Sequence, residues 1–254
     1  MLVLFDDLGN EIKTTIWKFP GGEIGVRVNE SPLTDSVEIR CDFRSSDDII
    51  GIVLLVDAIR SMGIREIGLV IPYFPYARQD RVMVPGESHS VKAIANIINS
   101  CKFNTVEIAD PHSDVTTSLI ENVVVKSQSD IAYWHVRGSC DILLAPDAGA
   151  LKKIYPLAAK LGVDVVCATK IRDISTGQIS GIKVYAEDNE KLKDKRVWVV
   201  DDICDGGKTF IELAKVISGY ETLNLFVTHG IFSKGLDELN QYYATIKTYN
   251  DMRL

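Results

Sequence analysis

The 254-residue chain has little cysteine. Its five residues, Cys41, Cys101, Cys140, Cys167 and Cys204, are odd in number, scattered, and never spaced C-x-x-C. That pattern argues against a disulfide framework or a zinc ribbon and fits a reducing compartment. Long hydrophobic runs are lacking too. The longest, IIGIVLLVDAI from Ile49 to Ile59, is interrupted by Asp57 and is too short to span a membrane. The N-terminal MLVLFDDLGN has no basic region ahead of its apolar run, so it lacks the form of a signal peptide. Positive charge is in deficit: 28 Lys and Arg against 35 Asp and Glu give −7. Such a chain is a poor general ligand for nucleic acid or an anionic membrane. Low-complexity segments and short repeats are missing as well. The expectation is a soluble, cytoplasmic protein with no nucleic-acid and no membrane partner. Any phosphate it takes must be held by local cations, backbone amides or a metal ion.

What is present is a globular composition, 46% hydrophobic and 25% charged, at a length that suits one large domain or two modest ones. Short apolar runs alternate with helix-type segments. EIGLVIP from Glu66, TVEI from Thr105, CDILLAP from Cys140, VDVVCATK from Val163, RVWVVDD from Arg196 and TLNLFVTHG from Thr222 read as strands. Ser45 to Met62, opened by S-x-x-D and followed by Gly63, reads as a helix; so do Ser90 to Cys101, Gly149 to Leu161 and Lys208 to Gly219. Apolar strands separated by helices predict α/β architecture with mostly parallel sheets covered on both faces. Leu2 to Arg40 reads instead as short antiparallel strands. KSQSD, from Lys126, breaks the apolar pattern and predicts two halves, residues 1–128 and 129–254.

Parallel sheets bind ligands beyond the C-terminal ends of their strands, so those positions carry the functional reading. VVDDICDGGKT, Val199 to Thr209, runs from a strand through Asp201 and Asp202 into Asp205, Gly206 and Gly207, and then a helix begins. Glycines let backbone N–H groups approach a ligand, and a helix N-terminus adds donors and partial positive charge. Carboxylates beside such a cradle suit sugar hydroxyls or a metal ion. The same pattern also fits an acidic loop with an ordinary helix cap. GGKT is not a P-loop, because Asp202 stands where that motif requires Gly, and GGEIG at Gly21 lacks dinucleotide-fingerprint spacing.

Four further segments bear chemistry. PYFPYARQDR, Pro72 to Arg81, is a stiff aromatic loop that could stack a planar base, with Arg78 and Arg81 for phosphates and Gln79 for a base or ribose; a purely structural loop is the alternative. ADPHSD sets His112 beside carboxylates at a strand end, a metal-ligand or proton-transfer arrangement, although a lone His is usually structural. Asp147 in APDAG is a helix cap by default and a candidate ligand for a polyphosphate-bound metal. Lys170 and Arg172, two apart on an extended segment, point the same way and could clamp a charged transition state; a solvated charged loop is the alternative.

FPYARQD, ADPHSD, PDAG, K-x-R, VVDDICDGGKT and THGIFS follow one another in this order. The set resembles the ribose-phosphate pyrophosphokinase (phosphoribosyl pyrophosphate, PRPP, synthetase) family, from about Phe19 to Ser233. The acidic loop is shared with phosphoribosyltransferases; FPYARQD together with THGIFS is far more specific. The resemblance implies two phosphoribosyltransferase-type halves with the active site between them. It implies transfer of the β,γ-diphosphoryl group of ATP to the C1 hydroxyl of ribose 5-phosphate, with Mg²⁺ as cofactor. It assigns Asp201, Asp202, Asp205, Gly206, Gly207, Lys208 and Thr209 to ribose 5-phosphate, and Arg78, Gln79 and Asp80 to ATP. Phe19 and Glu23 would contact adenine from a neighbouring subunit, which implies a homo-oligomer. His112 and Asp147 would lie at the Mg–ATP phosphates, with His112 counted, like Lys170 and Arg172 on a flap, among the catalytic groups.

The chain departs from the family pattern in four places. Phe19-Pro20-Gly21-Gly22-Glu23 has Gly21 where the family carries Asp, and Lys208 replaces a glycine of the sugar loop. VMVPGESHS after the ARQD motif lacks basic residues, so phosphate activation is not expected. The chain stops soon after ATIKTYN, where relatives add a further segment. Two other readings compete: a phosphoribosyltransferase consuming PRPP, which leaves FPYARQD and the K-x-R segment unexplained, and an inactive regulatory subunit, against which the retained Lys170, Arg172, His112, Asp201 and Asp202 speak.

Overall fold

The structure is a computed structural model that describes residues 1–172 and 179–253, with only the backbone described at 170–172 and 179–180. The chain forms two compact units, Met1–Lys126 and Ser127–Leu254.

The first unit runs β1 (Leu2–Asp6), β2 (Glu11–Ile12), β3 (Thr14–Lys18), β4 (Ile24–Val28), β5 (Ser36–Cys41), α1 (Ser46–Ser61), β6 (Glu66–Val70), α2 (Ser90–Ser100), β7 (Thr105–Ala109), α3 (Asp114–Leu119) and β8 (Val123–Lys126). Its main sheet has the order β2-β1-β5-β6-β7-β8, and β3 pairs with β4 as a separate hairpin. β5 through β8 are parallel, while β1 is antiparallel to β5. The N-terminal stretch is therefore antiparallel only as far as β4; β5 already begins the parallel array. Ser45 and Asp48 form a capping box that starts α1, with the Ser45 N–H donating to Asp48 at 2.9 Å.

Alternation sets one face of this sheet inward. Leu2, Leu4, Val37, Ile39, Ile67, Leu69, Val106 and Ile108 pack on Ile52, Leu55 and Ile59 of α1 and Val91, Ala95 and Ile98 of α2. The other face stays open at β5, where Glu38 and Arg40 are exposed. The expected double coverage thus fails in this unit, because β5 reads SVEIRC with period two, which is the pattern of a strand solvated on one side.

The second unit runs α4 (Gln128–Val136), β9 (Ile142–Ala145), α5 (Leu151–Leu161), β10 (Asp164–Cys167), β11 (Thr169–Arg172), β12 (Ile179–Lys183), α6 (Ala186–Glu190), β13 (Arg196–Cys204), α7 (Lys208–Val216), β14 (Thr222–Gly230) and β15 (Thr245–Asp251). Its five-stranded sheet, β10-β9-β13-β14-β15, is parallel throughout. β11 and β12 pair as an antiparallel hairpin. Here both faces are buried. Val197, Val199, Leu223, Leu225 and Val227 pack on Phe210, Leu213 and Ala214 of α7. On the opposite face, Phe226 stacks on His135 of α4 at 5.0 Å. β13 continues two residues beyond the expected strand. Asp201 and Asp202 lie inside it rather than at its end, and the pairings Asp201–Val227, Ile203–His229 and Cys204–Gly230 carry it on to Cys204. α5 begins at Leu151 rather than Gly149, and α7 ends at Val216 rather than Gly219.

Candidate active site

In the second unit the acidic and glycine-rich residues gather at the C-terminal ends of β9 and β13. As neighbours on a strand, Asp201 and Asp202 project to opposite faces. Asp202 is 9% exposed and its carboxylate meets the Lys153 ammonium of α5 at 3.1 Å. Asp201 accepts the Asp202 N–H at 2.9 Å. Burial pushes the Asp201 carboxyl well above the usual range, and the negative charges of Asp202 and Asp147 add to the effect. A group so placed favours the proton, a hydroxyl donor or a cation over a bare negative charge. Asp147 accepts the Ala150 N–H at 3.2 Å, the turn that leads into α5, so it serves as the expected cap and also faces Asp201.

Asp205, Gly206 and Gly207 form the loop that opens α7. Gly207 has φ +75°, and a Cβ there would stand 3.3 Å from the Leu239 side chain, so backbone and packing both call for glycine. Lys208 is exposed at the first position of α7 and Thr209 is half-buried beside it. The N-cap residue of this helix, Gly207, has no side chain to offer its N–H groups. Asp205 accepts the Ser233 hydroxyl at 2.6 Å.

In the first unit, FPYARQD forms the loop after β6. Phe74 is buried in the core, while Tyr73 and Tyr76 are half-buried. Phe43, Tyr73, Tyr76, Arg78 and Gln79 line an open cavity of about 540 Å³, and the Tyr76 hydroxyl lies 2.7 Å from that of Ser46. Arg78, Gln79, Asp80 and Arg81 also border an adjoining cavity of about 340 Å³ with Glu87, Ser88 and Ser90. Arg78 and Gln79 are exposed. Arg81, read from the sequence as a phosphate ligand, is paired with Asp80 at 2.9 Å, and that guanidinium chiefly holds the buried Asp80 carboxyl below its usual range. The charge of His112 adds to the lowering, which places the ADPHSD loop beside the ARQD loop. Glu87 accepts the N–H groups of Met83 and Val84 at 2.9 and 3.2 Å, closing the segment that lacks basic residues.

Phe19 and Glu23 mark the tip of the β3–β4 hairpin. The Phe19 N–H donates to the Glu23 carbonyl at 2.8 Å, and the Phe19 ring, 47% exposed, meets Trp17 edge-on at 5.7 Å. The Glu23 carboxylate folds back over Gly21: a Cβ at residue 21 would stand 2.5 Å from it. The departure at Gly21 thus lets Glu23 occupy the space that an Asp side chain would need. Lys170 and Arg172 lie on β11, and their side chains are outside the described residues. Residues 173–178 of the expected flap are likewise outside them. Lys153 and Ser233 were not singled out as site residues. Lys153 is 49 positions from Asp202, and no local spacing reports that pairing. Ser233 carried a signal, as the last residue of THGIFS.

Among the described residues no three His, Cys, Asp or Glu side chains form a ready-made metal site, and no helix is long and apolar enough to cross a membrane. The fold and loops define a phosphoribosyltransferase-type α/β protein. Residues 6–101 match the N-terminal domain of ribose phosphate pyrophosphokinase, and residues 120–225 match the phosphoribosyl transferase domain. The ribose-phosphate pyrophosphokinase of Pyrococcus furiosus is 32% identical over 230 residues, covering 88% of this chain and 80% of that protein. That of Saccharolobus solfataricus is 30% identical over 203 residues, covering 78% and 69%. The crystal structure of phosphoribosylpyrophosphate synthetase from Mycobacterium smegmatis superposes with a TM-score of 0.79 at 20% identity, over 92% of this chain and 78% of that one, which concerns the fold alone. The chain belongs to the ribose-phosphate pyrophosphokinase family.

Proposed function

We infer that the protein is a ribose-phosphate diphosphokinase, which transfers the β,γ-diphosphoryl group of ATP to the C1 hydroxyl of ribose 5-phosphate and yields PRPP and AMP. The observation that carries this reading is the presence in one chain of two complementary devices. One is the aromatic cavity bordered by Arg78 and Gln79; the other is the acidic, glycine-opened helix start from Asp201 to Thr209. Neither alternative gains a supporting observation: a transferase has no use for the first device, and the relatives are named as pyrophosphokinases.

In this reading the first unit is the ATP half and the second the sugar half. Tyr73 and Tyr76 face the adenine or ribose, Arg78 and Gln79 bind the nucleotide, and Asp80 fixes the loop through Arg81. Gly206, Gly207, Lys208 and Thr209 hold the 5-phosphate at the α7 N-terminus. Asp201, Asp202 and Asp205 take the ribose hydroxyls. The C1 oxygen forms a bond to the β-phosphorus, the bond from that phosphorus to the α,β-bridging oxygen breaks, AMP departs, and the hydroxyl proton is lost. Lys170 and Arg172 neutralise the developing charge. The exposed Phe19 tip, on a hairpin of its own, is suited to complete the ATP site of a neighbouring subunit in a homo-oligomer.

Mg²⁺ fits the donors present. It keeps most of its waters and takes one or two carboxylates plus substrate phosphates, so it needs no all-protein cage. Asp147 and Asp201 supply hard oxygens, and His112 stands with the ATP-side loop. When bound, the ion neutralises phosphate oxygens. The test is label transfer: with ATP labelled at the β-phosphate, Mg²⁺ and ribose 5-phosphate, the label should appear in the sugar product. Label left in ADP, with none in the sugar, would refute the diphosphoryl transfer.

A further inference from the structure

THGIFS is the one segment of the family pattern to which the reading above gives no task. It ends β14 and continues into a turn that lies against the sugar loop. The Cys204 carbonyl accepts two N–H groups from this turn, Ile231 at 2.9 Å and Phe232 at 3.1 Å. Phe232 is buried and has φ +48°, a left-handed conformation that is costly for a bulky residue and persists only where its surroundings impose it. Gly230 makes it possible: a Cβ there would stand 2.0 Å from the Phe232 ring. The turn then delivers Ser233 to Asp205, with the backbone N–H donating to the Asp205 carbonyl at 3.2 Å and the hydroxyl to its carboxylate at 2.6 Å. The stem of Lys234 lies over Gly206, 3.6 Å from where a Cβ would be. Cys204, Asp205 and Gly206 are thus each met by this turn.

We propose that Ser233 is a positioning residue for ribose 5-phosphate: it fixes the Asp205 carboxylate and with it the course of the Asp205–Gly207 backbone at the start of α7. The inference rests on the assignment of that loop to the sugar. The Ser233 hydroxyl donates to Oδ1 of Asp205 and so sets the rotation of that carboxylate. A short hydrogen bond to an ionised carboxylate is of the stronger kind. Its loss releases a loop whose glycines give it wide conformational freedom.

The test compares Ser233→Ala and Ser233→Thr with the wild type. The alanine variant should raise KM and the directly measured Kd for ribose 5-phosphate by about 5- to 10-fold, the worth of one such bond, and leave KM for ATP within about twofold. The threonine variant, which keeps the hydroxyl, should restore the wild-type values. An unchanged affinity for the sugar in Ser233→Ala, or an equal loss toward both substrates, would overturn the proposal. A carbon-detected NMR titration of Asp205 reads the clamp without any ligand. Its carboxyl pKa should rise in Ser233→Ala and return in Ser233→Thr; an unmoved carboxyl would also overturn it. If the wild type binds no ribose 5-phosphate, the functional assignment falls, and Ser233 loses its role toward the sugar whatever the carboxyl does. The carboxyl result then separates a wrong clamp from a wrong ligand.

Discussion

Lys153 and Asp202, one on a helix and one inside the sheet, meet at 3.1 Å with only 25% and 12% of their side chains exposed. The pair ties α5 to the strand that carries both candidate sugar-binding carboxylates. Removing the cation leaves Asp202 buried beside Asp201 with less compensation, and breaking such a pair is costlier than deleting both partners. Lys153→Met should lower stability by about 1–3 kcal/mol, less than a fully buried pair because water still reaches the ammonium. Denaturant unfolding checks this. Asp202→Asn in the same background should recover part of the loss.

Asp201 offers a pH test. Burial and neighbouring negative charge raise its folded pKa above the unfolded value, so folding favours the protonated carboxyl. Its favourable contribution is present below about pH 4 and is lost as the pH rises through the folded pKa. Asp201→Asn should therefore raise the melting temperature of the free protein at neutral pH, and the difference should vanish in acid. The same variant should raise KM for ribose 5-phosphate by about tenfold or more, since an amide carries no charge and offers one acceptor oxygen instead of two. Thermal scans across pH and steady-state kinetics decide the two halves of the prediction.

Asp141 behaves in the opposite sense. Arg196 donates to it at 2.7 and 3.0 Å through its guanidinium and at 2.9 Å through its N–H, and its carboxyl is pulled down to about 2. This contribution is present above about pH 4, the unfolded value, and is lost as the pH falls toward 2. Both partners are about a third exposed, at 31% and 39%, so screening limits the effect to about 1 kcal/mol. Asp141→Asn should cost that much at pH 7 and nothing near pH 2.

Lys170→Ala separates chemistry from binding. Turnover should fall by about 10²–10³, as for the loss of one preorganised donor to a developing charge, while the Kd for ribose 5-phosphate changes little. Near-normal turnover would remove Lys170 from the catalytic step.

The parallel core was legible because its strands are apolar throughout; β14 coincides with TLNLFVTHG residue for residue. The end of β13 was not. RVWVVDD ends the expected strand at Asp202, yet pairing with β14 keeps Ile203 and Cys204 extended as well. β15, reading TIKTYND, was missed for a related reason: its alternating polar residues suit an edge, and only β14 makes it a strand. The candidate site divides in the same way. Loop residues stood out through glycine, aromatic and charge patterns, whereas the pairing of Lys153 with Asp202 depends on which elements the topology brings together.

The most direct measurement incubates the purified protein with Mg²⁺, ATP and ribose 5-phosphate and quantifies AMP and PRPP together. A ribose-phosphate diphosphokinase forms both in equal amounts, and neither without the sugar. PRPP consumed with a nucleobase, or no AMP from a folded protein that binds ribose 5-phosphate, would contradict that activity.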